Sequence, residues 1–151
     1  MKSINIPSVS DIEAAANRLV GYARKTTLLE YTKIYERLGC RLLLKVESLQ
    51  RTGSFKFRGA FNKISQISAE LRPNGVVAYS SGNHAQGVAA AAQHFGSPAT
   101  IVMPKDAPEI KIQNTTGYGA EVVFYDREND NRVEIAKRIS REQGSILIPP
   151  Y

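Results

Sequence analysis

The 151-residue sequence has one cysteine, Cys40, no tryptophan, and aromatic residues at only 8%. A single thiol can neither close a disulfide within the chain nor build a multi-cysteine metal site, so a disulfide scaffold is excluded and a reducing, cytoplasmic setting is expected. No apolar run approaches the roughly 20 residues that span a bilayer, which excludes a membrane helix. The opening MKSINIPSVSDIEAAANRL lacks the apolar segment and cleavage pattern of a secretory leader. Charge of one sign is never concentrated. The net charge is +6, yet no five like charges adjoin and basic residues alternate with acids at helical spacing. With so few aromatics, that pattern speaks against a nucleic-acid partner and leaves a small anionic ligand to explain the excess of cations.

Several chemical signatures are missing as well. His84 and His94 stand ten apart with no cysteine or carboxylate at ligand spacing, so no metal site is expected. The only Gly-x-Gly, at 117–119, precedes a strand and lacks the third glycine of a dinucleotide fingerprint. A phosphate-binding P-loop and a Gly-x-Ser-x-Gly nucleophile elbow are both absent.

What is present is a globular composition, 42% apolar and 23% charged, enough for one domain of ordinary size. A Ser-x-x-Glu box of Ser10 and Glu13 predicts the start of a first helix, with Ile12, Ala15, Ala16 and Leu19 on one face and Gly21 ending the run. A short helix is expected at about 30–38, closed by Gly39, and a strand at 41–47. Residues 55–67 place Phe57, Ala60, Phe61, Ile64 and Ile67 on one face of a third helix. Thereafter strands GVVAYS, ATIVM, AEVVFY and SILI alternate with helical stretches of about a dozen residues, the signature of crossover units. The expected fold class is α/β, a parallel sheet with helices on both faces. The chain stops at Pro149, Pro150 and Tyr151 directly after an apolar strand, where such a sheet would continue, and this reads as an interruption.

Two segments carry chemistry. Residues 80–84, Ser-Ser-Gly-Asn-His, lie between strand GVVAYS and an alanine-rich helix, at the carboxyl end of a strand, where open α/β sheets bind ligands. Two hydroxyls, an amide and the free N–H groups of a helix start form a cup for a carboxylate or phenolate oxygen. The plainer alternative is that Ser81 or Asn83 caps the helix while Gly82 turns the chain. Residues 52–59, Thr-Gly-Ser-Phe-Lys-Phe-Arg-Gly, open the third helix. A helix start, like charge from Arg58 and flanking aromatics all favour the neutral, nucleophilic form of an amine at Lys56, and Phe55 can pack on a flat ring. Alternatively Lys56 is a solvated lysine on a helix face, with Phe55 in the core.

Taken together, the stretch 47–60 (ESLQRTGSFKFRGA) and the later 80–87 (SSGNHAQG) resemble the fold type II pyridoxal-phosphate enzymes, a tryptophan synthase β-like fold. The similarity is to the threonine/serine dehydratase (ammonia-lyase) and serine racemase family, and it extends to Met103-Pro104-Lys105 and the final Ile-Pro-Pro-Tyr. The resemblance implies the cofactor pyridoxal 5′-phosphate, held covalently by Lys56, which would also move protons at the substrate α-carbon. It implies that Phe55 packs on the pyridine ring, that Asn83 bonds the ring's 3′-oxygen, and that Ser80, Ser81, Gly82, Asn83 and His84 cradle the substrate carboxylate. The activity implied is dehydration and deamination of L-threonine or L-serine to a 2-oxo acid and ammonia. Ser81 matters separately: serine racemases and some hydroxyaspartate dehydratases carry serine there as an acid/base on the opposite face, where many bacterial threonine dehydratases carry alanine. Racemisation of serine and dehydration of 3-hydroxyaspartate are therefore the alternatives.

The resemblance also implies a homodimer or homotetramer acting on a small amino acid. Family members extend past the equivalent of Tyr151, and their phosphate-cupping glycine loop, the residue facing the pyridine nitrogen and their cation site belong to that later part. Residues 1–67 would then belong to a large cofactor domain and 68–148 to a small α/β domain, the fold being truncated. A truncated remnant without catalysis is the rival expectation, and weak or absent activity is expected of the isolated 151 residues.

Overall fold

A computed structural model describes residues 6–150; the first five residues of the stretch tested for a leader, and Tyr151 at the expected interruption, lie outside them. The chain opens with helix α1 (Val9–Leu19), but its cap is not the one the spacing suggests. Ser8 and Asp11 form the reciprocal capping box, Ser8 Oγ accepting from Asp11 N at 3.2 Å and Asp11 Oδ2 from Ser8 N at 2.8 Å. A box needs only a hydroxyl and an acid three residues apart, and Ser8–Asp11 satisfies that pattern two residues before Ser10–Glu13.

Next comes an antiparallel pair, β1 (Leu28–Glu30) and β2 (Leu43–Lys45), separated by α2 (Thr32–Leu38). The expected helix at 30–38 thus loses its first two residues, and Glu30 belongs to a strand that the periodicity did not reveal. Glu30 pairs across with Leu43, while its carboxylate accepts from Arg41 Nε at 2.6 Å and Nη2 at 3.2 Å, which closes the hairpin-like unit at the surface. The expected strand at 41–47 shrinks to three residues because Glu47 begins a 3₁₀ turn.

From residue 56 onward the order is α3 (Lys56–Ser65), β3 (Val76–Tyr79), α4 (Asn83–His94), β4 (Ala99–Pro104), α5 (Glu109–Gly117), β5 (Glu121–Tyr125), α6 (Arg132–Gln143) and β6 (Ile146–Leu147). Strands β5, β4, β3 and β6 lie side by side in that order and all pairings are parallel, as helical crossovers require. Alternate strand residues face opposite layers. Val76, Ala78, Ile101 and Met103 pack with Phe57, Ala60, Phe61 and Ile64 of α3 and the alanine face of α4. Val77, Tyr79, Val102 and Tyr125 pack with Ala136 and Ile139 of α6. Side chains such as Phe61, Ile64 and Ile101 are fully buried, each stabilising the fold by roughly 1.5–3 kcal/mol.

The segment before α3 contrasts with this core. α1, β1, α2 and β2 contain no buried residue, and Leu28 and Leu43 remain 56% and 45% exposed. Among the described residues no helix is long and apolar enough to cross a membrane.

Candidate functional site

The lysine is presented by a clamped loop. Gln50, 3% exposed, accepts from Arg24 N at 2.8 Å through its side-chain oxygen and donates to Arg24 O at 2.9 Å, tying residues 50–54 to an earlier stretch of chain. Thr52 then adopts φ +60°, the only non-glycine residue among those described in the left-handed region, and Gly53 follows at φ +67°. For a β-branched residue this conformation costs about 1–3 kcal/mol, and the Gln50 clamp holds it. Thr52 Oγ1 is also buried without a partner. Two left-handed residues in succession turn the chain sharply into α3, where Ser54 Oγ accepts from Lys56 N at 3.1 Å.

Behind the loop, Glu47 joins both sides. It accepts from Arg58 Nε and Nη2, each at 2.8 Å, and from Thr26 Oγ1 at 2.6 Å. The Arg58 hydrogen bonds lower the Glu47 carboxyl to about 2, with Thr26 and the charges of Arg58 and Lys45 adding to them against burial. This corrects the expectation for Arg58: its guanidinium is engaged by Glu47 and Arg24 O, so its charge is not spent on Lys56.

Lys56 Nζ donates to the carbonyl of Pro150 at 2.6 Å and stands 5.5 Å from the Phe55 ring centroid. Phe55 is 59% exposed, so it is not a core residue. Both line a cavity of about 450 Å³ together with Gly59, Lys63, His84 and the 148–150 segment. A larger cavity, about 660 Å³, opens between residues 50–52 and Gln93 and His94 of α4; neither Lys56 nor His84 lines it. The amine therefore belongs to the smaller space.

Of the residues 80–84, His84 alone lines the lysine's cavity. It is 6% exposed, and its Nε2–H donates to Ile148 O at 3.0 Å. Burial lowers its pKa from the ordinary 6.5, and the Lys56 charge acts in the same direction, against the Ile148 hydrogen bond. Ser80, Ser81, Gly82 and Asn83 lie just ahead of it, at the carboxyl end of β3 and the start of α4. Ser80 N donates to Val102 O at 3.1 Å, and Ser80 Oγ accepts from Gly82 N at 3.2 Å. The helix cap is Gly82, and no side chain caps α4. The plainer alternative of Ser81 or Asn83 as a cap is thereby set aside, leaving the first N–H groups of α4 without side-chain acceptors and suited to an anion.

Gly87 joins the two segments. A Cβ at this position would stand 3.2 Å from Lys56 C, Lys56 O and Phe57 N, so α4 lies directly on the backbone that carries the amine. Sequence reasoning gave Gly87 no role beyond ending the stretch 80–87, although a glycine inside an alanine-rich helix signals close approach. It named Ile148 and Pro150 only within the final Ile-Pro-Pro-Tyr of the resemblance and passed over Lys63, and no local pattern connects any of the three to Lys56.

A family model described as "Pyridoxal-phosphate dependent enzyme" matches residues 20–151. The chain belongs to the pyridoxal-phosphate dependent enzyme family. It is 46% identical to an L-threo-3-hydroxyaspartate ammonia-lyase of Saccharomyces cerevisiae, with 97% of the chain and 45% of that protein covered. It is likewise 46% identical to an L-threonine ammonia-lyase of Thermotoga maritima, covering 95% of the chain and 36% of the relative. The structure of maize serine racemase superposes with a TM-score of 0.88 at 38% identity, over 95% of this chain and 44% of that one. The chain thus spans under half the length of these relatives. Pyridoxal 5′-phosphate is the family's cofactor, and the residues present fit it. The cavity falls within the roughly 300–1,000 Å³ typical of small-ligand sites, a primary amine forms one wall and an exposed aromatic stands beside that amine. Among the described residues no three of His, Cys, Asp and Glu gather as metal ligands.

Proposed function

We propose that the full-length protein is a pyridoxal-phosphate dependent ammonia-lyase that converts a β-hydroxy amino acid, L-threonine or L-serine, to a 2-oxo acid and ammonia. The observation that carries the reading is the shared cavity of Lys56 and His84, with α4 seated on the lysine's own backbone through Gly87. When bound, pyridoxal phosphate supplies an electron sink for the pair of electrons released at the substrate α-carbon. The chain's residues supply the rest. Lys56 holds the cofactor and moves a proton at the α-carbon, a task that needs the amine to leave the Pro150 carbonyl. Phe55 covers the ring, and Asn83 donates to the ring's 3′-oxygen. The uncapped start of α4, with the hydroxyls of Ser80 and Ser81 and the N–H groups around Gly82 and His84, binds and orients the substrate carboxylate.

Residues 1–67 are assigned to a large cofactor domain and 68–148 to a small α/β domain. The exposed leucines of β1 and β2 set residues 28–45 apart from the parallel sheet, while α3, assigned with them, packs in the core of that sheet. A homodimer or homotetramer and a cytoplasmic setting complete the reading, the latter supported by the exposed free thiol of Cys40.

Two lysines border the cavity, Lys56 and Lys63, which makes the test specific. Borohydride reduction of the full-length protein with pyridoxal phosphate should fix the label on Lys56 alone, and Lys56→Ala should lower turnover by about 10³-fold or more. Label on Lys63 would refute the assignment. Because the hydroxyl of Ser81 sits in the turn before α4, serine racemisation is the second reading; Ser81→Ala should abolish racemisation and spare dehydration. A panel of L-threonine, L-serine and L-threo-3-hydroxyaspartate decides the substrate. If none is turned over and pyridoxal phosphate is not taken up, the protein is a non-catalytic remnant.

A further inference from the structure

We propose that Lys111 is a positioning residue that determines which end of the Asn83 amide faces the ligand. Lys111 lies in the first turn of α5, and its Nζ donates to Asn83 Oδ1 at 3.2 Å, at the start of α4. One turn further along both helices, Asn114 Nδ2 donates to Gln86 Oε1 at 3.3 Å, and Gln86 is 4% exposed. The two contacts form successive rungs of one seam, at 83 and 86 on α4 and at 111 and 114 on α5, the inner one half-buried through Gln86 and the outer one at the surface. No carboxylate forms a salt bridge with Lys111 among the described residues.

An amide offers a carbonyl at one end and two donors at the other, and a free asparagine can turn either outward. An ammonium group has donors only. It therefore accepts the amide in one orientation, Oδ1 toward Lys111 and Nδ2 away from it, and this leaves Asn83 as a donor. An anionic ligand at the start of α4 requires a donor there. The inference rests on the reading that Asn83 donates to the bound cofactor, and it adds what makes that donation dependable.

The test titrates pyridoxal 5′-phosphate into the full-length protein and follows the absorbance of the lysine-bound cofactor. Lys111→Arg, again a pure donor, should keep the wild-type dissociation constant and absorption maximum. Lys111→Met frees the amide to rotate and should weaken binding about twofold, since one of two orientations is then unproductive. Lys111→Glu accepts from Nδ2, turns the carbonyl toward the ligand, and should weaken binding by about tenfold or more with a shifted absorption maximum. In the Asn83→Ala background the same Glu substitution should cost several-fold less, because there is no amide left to turn. Losses that simply multiply would mean that Lys111 acts by its charge alone, and would overturn the proposal. Asn83→Ala with unchanged affinity and spectrum would instead remove the role of Asn83, and the inference with it. Asn83→Ala that weakens binding beside a silent Lys111→Glu would sink the Lys111 link alone.

Discussion

Gly87→Ala should loosen the site although it puts a better helix former into the middle of α4. The added Cβ would meet three backbone atoms at 3.2 Å, namely Lys56 C, Lys56 O and Phe57 N. Relaxed carbon contacts lie near 3.5–4.0 Å, so α3 and α4 must part by roughly 0.3 Å or more. No side chain can rotate aside to absorb this. Phe57 is itself anchored, its ring buried against Phe61 with centroids 5.5 Å apart. Alanine gains about 1 kcal/mol over glycine in a helix interior, whereas overpacking costs about 1–3 kcal/mol, so the net effect is a loss of up to about 2 kcal/mol. Gly59→Ala is the control for stability alone, since a Cβ there meets nothing within 4 Å and lies in α3 itself, whereas its place in the lining of the lysine's cavity keeps it out of the affinity comparison. That variant should gain about 1 kcal/mol. Catalysis adds a second reading: a 1 Å misplacement costs on the order of 10²-fold, so a few tenths of an ångström at Lys56 should reduce turnover several-fold. Urea midpoints of the two variants in the full-length protein, with the cofactor dissociation constant of Gly87→Ala set against wild type, make the comparison. A Gly87→Ala protein as stabilised as Gly59→Ala, with unchanged cofactor affinity, would show that α4 does not set the position of Lys56.

Two further outcomes follow from the charged groups. Glu47→Gln removes the partner of Arg58 and should destabilise the fold by about 1–2 kcal/mol at neutral pH, because the pair is only partly screened from water. The folded carboxyl titrates near 2 rather than 4.5, so its stabilisation is complete above pH 4.5 and is lost as pH falls toward 2. Denaturation midpoints of wild type and Glu47→Gln should therefore converge between pH 5 and pH 2, and a constant gap would contradict the pairing. His84 is shifted the same way: with its folded pKa below 6.5, the neutral ring favours folding above that value and the benefit disappears as pH falls through and below it. Nuclear magnetic resonance titration of the His84 ring should give a midpoint below 6.5, and one at or above 6.5 would mean that the ring is not buried as described.

The parallel sheet was legible because its strands are short apolar runs separated by amphipathic helices, and each run occupies the strand it suggested. The face of α3 read from Phe57, Ala60, Phe61 and Ile64 is the face buried in the core. Legibility failed before α3, where packing supplies little. β1 has three exposed residues and no alternation to detect, and it exists through pairing with β2 and the Glu30–Arg41 ion pair. The site was legible as two motifs and illegible as an assembly. Nothing near Lys56 in the chain foretells that its amine meets a carbonyl 94 residues away, or that His84 donates to Ile148. Such contacts belong to topology: β6 lies next to β3, so the residues after β6 and those after β3 emerge side by side at the same end of the sheet.

The start of α4 is left without a side-chain cap for local reasons. A serine, threonine or asparagine cap satisfies the first N–H groups of a helix and typically contributes about 1 kcal/mol, and here two serines and an asparagine lie within reach of the position. Yet Gly82 occupies it, Ser80 Oγ accepts from Gly82 N instead, and Asn83 Oδ1 accepts from Lys111. Each hydroxyl or amide that would close the helix is either turned elsewhere or left outside the cap geometry. The fold thus forgoes a local stabilisation where an anion can supply it, and Lys56 nearby is held by a carbonyl rather than by a carboxylate. A carboxylate partner would oppose release of the amine far more strongly than a neutral carbonyl does. On the proposed reading, an anion bound at the start of α4 would draw part of its binding energy from completing a helix terminus that no side chain caps.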